Sequence, residues 1–540
     1  MSRSSSRKPS EDAAVVTTTP AIFDDEAVKK ARDEYALNPV GTSSSSKSSS
    51  PIKGSHLRLA SNSTDDDDGN GNGNGNGNGE VAAARIAAGQ PRDTDNASIE
   101  NGYSVTYKVY KRRWFGLLQL TLLNIIVSWD WLTFSPVSQN AAIYYSTTES
   151  AINWYSTGFL FAFVVIFPVT IYTLHWGPKP SIIAAAVLIL VGNWIRYAGS
   201  YSRDGGNYGV VMFGQILTGL AQPFVLSAPT RYSDMWFTDR GRVGATALAS
   251  LANPFGAALG QLIVPFMVTG PADISNAVLY VAIISSVAAL PSFFIPAEPP
   301  TPPGQWCSTP KASFRSSLQL LKSAEIWQIL IPYSVYVGFF NSISTLLNQI
   351  MMPYGFSSDD AGIAGALLIV VGLVAAAIAS PILDRTKAFL LAIKVAVPLI
   401  ALSYLVFIWM PGTRNLAGPY VVLSILGASS FSLLPVALEF LCELGHPMSP
   451  EITSTIAWAG GQLLGGIFII VSDALKAGPT ADPPFHMYNA LVFTAVVSLV
   501  AVIPVMALGM LGRREKLAIR RMGSGSSSSS STQAVSDSPT

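Results

Sequence analysis

Twelve long apolar runs dominate this sequence and leave little choice of fold. They fall at about 112–138, 150–174, 181–200, 208–233, 243–269, 274–296, 325–353, 359–383, 388–410, 417–443, 453–474 and 487–512. Each is long enough to cross ~30 Å of hydrocarbon as a helix rising ~1.5 Å per residue. Prolines inside them (Pro168, Pro223, Pro254, Pro332, Pro435) are compatible with helices in lipid, because neighbouring helices re-satisfy the backbone groups they free. The expected fold class is an all-α polytopic membrane protein.

Composition agrees. Only 12% of the 540 residues are charged, against about 25% in a soluble domain. The net charge of +1 gives no electrostatic case for a nucleic-acid partner. Cys307 and Cys442 are too few for a disulfide framework or a metal cluster, and the four histidines form no ligand spacing, so no cofactor is expected. "MSRSSSRKPSEDAAVV" lacks the apolar core of a signal peptide, which leaves targeting to the first membrane helix.

The apolar runs divide into six plus six. Residues 1–105, with a serine run, an acidic block and "GNGNGNGNGNGE", cannot bury enough apolar surface to offset chain entropy and read as a disordered cytoplasmic tail that could recruit cytosolic partners. Residues 106–296 read as an N-terminal six-helix bundle and 297–323 as a central cytoplasmic loop. Residues 324–513 form a second bundle and 514–540 a second disordered cytoplasmic tail. Basic clusters such as Lys111–Arg113, Arg240/Arg242 and Arg513/Arg514 lie in one alternating set of loops, whereas the other set holds only Arg196, Arg203, Arg414 and Lys476. By the positive-inside rule both termini are cytoplasmic. The halves echo one another: "SAPTRYSDMWF" closes the fourth run and "LLPVALEFLCEL" the tenth, and glycine-rich helices follow both, as expected of structural repeats.

Polar groups at membrane depth are costly and tend to face a cavity or a partner. Asp130, in "SWDWL", lies near mid-depth in the first run. It reads as a carboxylate on an aqueous path, pairing with a cationic substrate or carrying a coupling proton, or else as a hydrogen-bonded structural aspartate. Trp131 beside it could add cation–π attraction. Gln222 and Gln462, one in each half, could bind substrate or bridge helices, and Asn341 follows the aromatic "YVGFF". Glu439 and Arg231 form a candidate gate or brace on the cytoplasmic side. Arg196 and Glu149 are expected to be solvated at the outer mouth.

"DRGR" (239–242, with Asp239 and Arg240) and "LDRTKAF" (383–389) resemble the cytoplasmic loop motifs of the major facilitator superfamily. Asp384 and Arg385 match the acid–base pair that latches helices there, whereas the first-half loop "LHWGPKPS" lacks the acid. More specifically, "YKRRWFGLL", "WLTFSPV", "GQILTGLAQPFVLSAPTRYSDMWF", "LANPFG" and "SISTLLNQI" resemble the feline leukaemia virus subgroup C receptor (FLVCR) family of haem and choline transporters, and two of the segments look closest to its orphan branch. The resemblance implies two six-helix bundles that alternate access to a central site. In choline-transporting members a first-helix tryptophan and a seventh-helix tyrosine form an aromatic cage beside two glutamines. Trp131, Gln222 and Gln462 match, the tyrosine appears as Asn341, and Asp130 replaces a residue that is usually uncharged.

The expected function is transport of a small organic solute, cationic or zwitterionic and choline/ethanolamine-like, across a lipid bilayer, with the plasma membrane preferred to the vacuolar one. Alternatives are haem transport, or a non-transporting receptor that signals through its tail. The chain is not expected to be an enzyme.

Overall fold

The computed structural model describes residues 97–100, 103–106, 108–202, 205–301, 324–386, 389–444 and 450–507. Among the described residues, twelve helices carry the apolar runs: α1 Arg113–Trp131, α2 Glu149–Trp176, α3 Pro178–Tyr201, α4 Tyr208–Leu226, α5 Asp239–Met267 and α6 Ile274–Ala289 (within a span Pro271–Phe294 that includes its flanking 3-10 turns), then α7 Ala324–Met351, α8 Ser358–Thr386, α9 Phe389–Phe407, α10 Ala417–Leu444, α11 Pro450–Ala474 and α12 Tyr488–Ala507. The first span continues past α1 through a 3-10 turn, Ser135–Val137, into a short helix, Ser138–Tyr144. The fourth continues into Ala228–Trp236.

Local chemistry sets the boundaries. Asn207 caps α4 by accepting the N–H groups of Gly209 and Val210, and Thr148 caps α2 by accepting that of Ala151. Such side chains satisfy amides that have no partner inside the helix. Pro136 prevents α1 from continuing straight, since it has no N–H to donate.

A hairpin, Ala97–Glu100 paired with Tyr103–Thr106, corrects the reading of the whole of 1–105 as unstructured. Pairing Glu100 with Tyr103 leaves the dipeptide Asn101-Gly102 as the connection, the strongest short hairpin signal. The rest of that tail, the central loop from residue 302 to 323 and the C-terminal tail lie outside the described residues.

Helix contacts repeat between the halves. In the first, α1 packs on α5, α2 on α4 and α3 on α4 and α6; in the second, α7 packs on α11, α8 on α10 and α9 on α10 and α12. The halves meet through α2 against α11 and α5 against α8, which is a pseudo-two-fold relation. Glycine permits two of the equivalent close approaches. A Cβ at Gly219 of α4 would stand 2.7 Å from the Phe159 carbonyl oxygen of α2, and one at Gly427 of α10 would collide with that of Leu368 of α8.

Candidate functional site

Where the two bundles meet, a cavity is lined by α1, α4, α5, α7, α9, α10, α11 and α12. On α7 the lining residues Ile329, Pro332, Tyr333, Tyr336, Val337, Phe340 and Asn341 recur at intervals of three and four, so one stripe of that helix faces inward. Trp458 and Gln462 do the same on α11.

Four of the five expected substrate residues line this space. Trp131 and Gln222 come from the first bundle, Asn341 and Gln462 from the second. Gln462 joins them: its Oε1 accepts from Asn341 Nδ2 at 2.8 Å and its Nε2 donates to Gln222 Oε1 at 3.4 Å. The amide chain therefore crosses from one bundle to the other. Trp131 Nε1 and Tyr333 Oη are buried without a protein partner. Tyr333 and Trp458 meet edge to face with ring centroids 6.2 Å apart, and Phe340 meets Phe431 at 5.3 Å. No charged side chain appears among the described lining residues.

Asp130, the fifth, does not line the cavity, which corrects the expectation that it faces an aqueous path. Its carboxylate turns into the first bundle, where Oδ1 is 3.2 Å from Arg196 Nη1 and Oδ2 accepts from Asn193 Nδ2 at 2.7 Å. Asp130 and Arg196 are both fully buried. Arg196 was expected to be wet, yet it lies inside α3, stacked 5.3 Å from the Phe134 ring. Consecutive residues on a helix point about 100° apart, so Trp131 can face the cavity while Asp130 faces α3.

The cavity stops at Trp131 on the side away from the basic helix ends. Beyond it the bundles are tied together. Asn348 Nδ2 donates to the Pro136 carbonyl at 2.8 Å, Ser138 Oγ to Asn348 Oδ1 at 3.4 Å, and Gln261 Nε2 to the Ser344 carbonyl at 2.5 Å. Asn153 exchanges bonds with Gln349 and donates to Asp473 at 3.0 Å. Lys476 pairs with Glu149 at 2.5 Å, so Glu149, still partly exposed to solvent, is also a cross-bundle partner. On the other side the cavity runs toward the basic face, past Ile329 and Ala437.

The loop residues are only partly described. Arg231 is half-buried on the short helix Ala228–Trp236. The side chains of Glu439, Asp239, Arg240, Asp384 and Arg385 lie outside the described residues. Arg242, also in "DRGR", pairs with Asp234 at 3.2 Å, an ion pair the sequence reading did not single out. Tyr333, Trp458, Asn253 and Phe431 were likewise not chosen as site residues. The three-and-four spacing on α7 was the signal that could have found Tyr333.

Two pseudo-symmetric six-helix bundles around a central cavity are the architecture of a membrane transporter. The chain belongs to the major facilitator superfamily, and within it to the FLVCR-like transporters that its motifs resemble. The family model described as Major Facilitator Superfamily matches residues 120–469. Solute carrier family 49 member A3 of Danio rerio is 33% identical over 387 residues, which is 70% of this chain and 81% of that protein. Choline/ethanolamine transporter FLVCR1 of Mus musculus is 28% identical over 434 residues, 72% of this chain and 75% of that protein. Among solved structures, a bacterial homologue of the human lysosomal transporter Spinster, inward-facing and unoccupied, matches with a TM-score of 0.54 at 15% identity, covering 74% of this chain and 97% of its own. The D-xylose-proton symporter matches with a TM-score of 0.54 at 14% identity, covering 72% and 97%. These structural likenesses bear on the fold alone.

Proposed function

We propose that the chain moves a small organic cation or zwitterion of the choline/ethanolamine class across the plasma membrane, with both termini in the cytoplasm. The observation that carries this is the make-up of the cavity: aromatic rings from both bundles, an amide chain between them, and no charged side chain among the described lining residues. Such a site holds an ammonium group by cation–π attraction, worth about 0.5–2 kcal/mol per ring, and leaves amides and hydroxyls for a hydroxyl or amine at the other end. Asn341 replaces one ring of the cage implied by the family likeness, and Tyr333 and Trp458 supply aromatic surface in its place. Relatives named as choline/ethanolamine transporters support the same class.

With Asp130 paired away from the cavity, no described lining group is placed to carry a coupling proton, which favours facilitated diffusion. The test is uptake of labelled choline by proteoliposomes. Saturable uptake that excess choline or ethanolamine blocks, and haem does not, is expected. Absence of saturable choline uptake, or choline uptake that haem blocks, would overturn the reading. A pH gradient that drives accumulation would overturn facilitated diffusion.

A further inference from the structure

The ion pair between Asp130 and Arg196 is not used by the substrate site, yet it sits where a cavity residue and a closure contact share a short piece of α1 backbone. α1 stops at Trp131. The N–H of Leu132 returns to the Trp129 carbonyl, and Thr133 Oγ1 donates to the carbonyls of Trp129 and Asp130. Gln215 of α4 donates Nε2 to the Asp130 carbonyl at 3.1 Å. Arg196 then holds both ends of the break. Its Nη1 meets the Asp130 carboxylate before the break, and its guanidinium covers the Phe134 ring after it. Asn193 braces the pair from both sides, donating to Asp130 Oδ2 and accepting from Arg196 Nη1 at 3.0 Å. Arg196 itself has little room to move, because α3 and α4 touch beside it: a Cβ at Gly214 would stand 2.8 Å from Arg196 Cγ.

The residue next to Asp130 is Trp131, in the cavity. Two residues beyond Phe134, Pro136 offers the carbonyl that Asn348 of the second bundle binds. The grip on the break therefore fixes a cavity ring on one side and a closure contact on the other.

We propose that Asp130 and Arg196 are positioning residues, a buried strut that holds the α1 break in the shape closing the face opposite the basic helix ends and that sets Trp131 against the substrate. A buried ion pair is weak evidence of net stability, since well-packed neutral residues often replace one without loss, whereas removing one partner strands a charge. A role in shape is the reason to look for it here. The Trp131 part rests on the substrate reading proposed above; the closure part does not.

The test uses the full chain with Cys307 and Cys442 replaced by Ser and one cysteine introduced by Ser344→Cys, a position buried between the cavity and the closure. Reaction with a membrane-impermeant thiol reagent is followed from each face of the membrane, alongside choline uptake. The variant is Asp130→Asn with Arg196→Met, which leaves no unpaired charge. The strut predicts that this protein folds, with a melting temperature near the parent's. It also predicts labelling from the face opposite the basic ends that rises about three- to tenfold as the closed population falls, with choline KM raised and maximal rate lowered. Parental labelling in the folded double variant would overturn the proposal. If the double variant does not accumulate, Asn193→Ala, which keeps the charges balanced, decides: increased labelling supports the strut and unchanged labelling overturns it. Absence of choline uptake in the parent would sink the substrate reading while the labelling still answers for the strut.

Discussion

Trp131 is the residue on which the substrate reading leans hardest. Its ring lines the cavity while its Nε1 finds no partner in the protein, so replacing it removes a π face without breaking an internal bond. Trp131→Ala is expected to raise the KM for choline uptake about tenfold or more, with Trp131→Phe in between, since each ring contributes up to about 2 kcal/mol when desolvated. A KM unchanged in the alanine variant would remove Trp131 from the site. Arg196→Met alone strands the Asp130 carboxylate at full burial, at a cost of about 3–5 kcal/mol. Its yield and melting temperature are expected to fall well below those of the double neutral variant, and equal values would show the pair to be energetically idle. Trp131, Gln222, Asn341 and Gln462 were legible in the sequence because each is a polar or amphipathic group in an apolar run. What Asp130 faces was not. A neighbour one step along the helix points elsewhere, and the partner Arg196 comes from another helix and, by its place near a loop, looked wet.

At the scale of elements, the helix pairs depend on backbones that touch. Gly427→Val would put a side chain into the Leu368 carbonyl and must separate α8 from α10. Loss of the monodisperse protein in size-exclusion chromatography is expected. Gly270→Ala, where an added Cβ meets nothing within 4 Å, is the neutral control. Monodisperse Gly427→Val protein would contradict the packing described. The twelve spans were readable because lipid demands long apolar helices, and a boundary such as the start of α4 follows from a cap residue, Asn207, visible in the sequence. The turn that splits the first span was not read, although Pro136 stands in it. The hairpin at 97–106 was hidden by the polar tail around it, even with Asn-Gly at its centre.

For the whole molecule, the contrast between the two faces carries the mechanism. Cross-bundle bonds gather beyond Trp131, through Asn348, Asn153, Gln261 and Lys476, while the cavity extends toward the basic ends. Alternating access requires that these bonds break when the other face closes. Asn348→Ala and Lys476→Gln are each expected to raise thiol labelling of Ser344→Cys from the closed face severalfold while leaving the fold intact, and parental labelling in both would show the closure to lie elsewhere. That two halves form one site follows from residues far apart in sequence, Gln222 and Gln462 above all, whose meeting across the pseudo-two-fold only the folded chain displays. The most direct test is equilibrium binding of labelled choline to the purified protein and to Gln222→Ala and Gln462→Ala, one variant from each bundle. A shared site predicts saturable binding by the parent and a tenfold or greater loss in both variants, about 1.4 kcal/mol each. Parental affinity in either variant, or no choline binding by the parent, would contradict it.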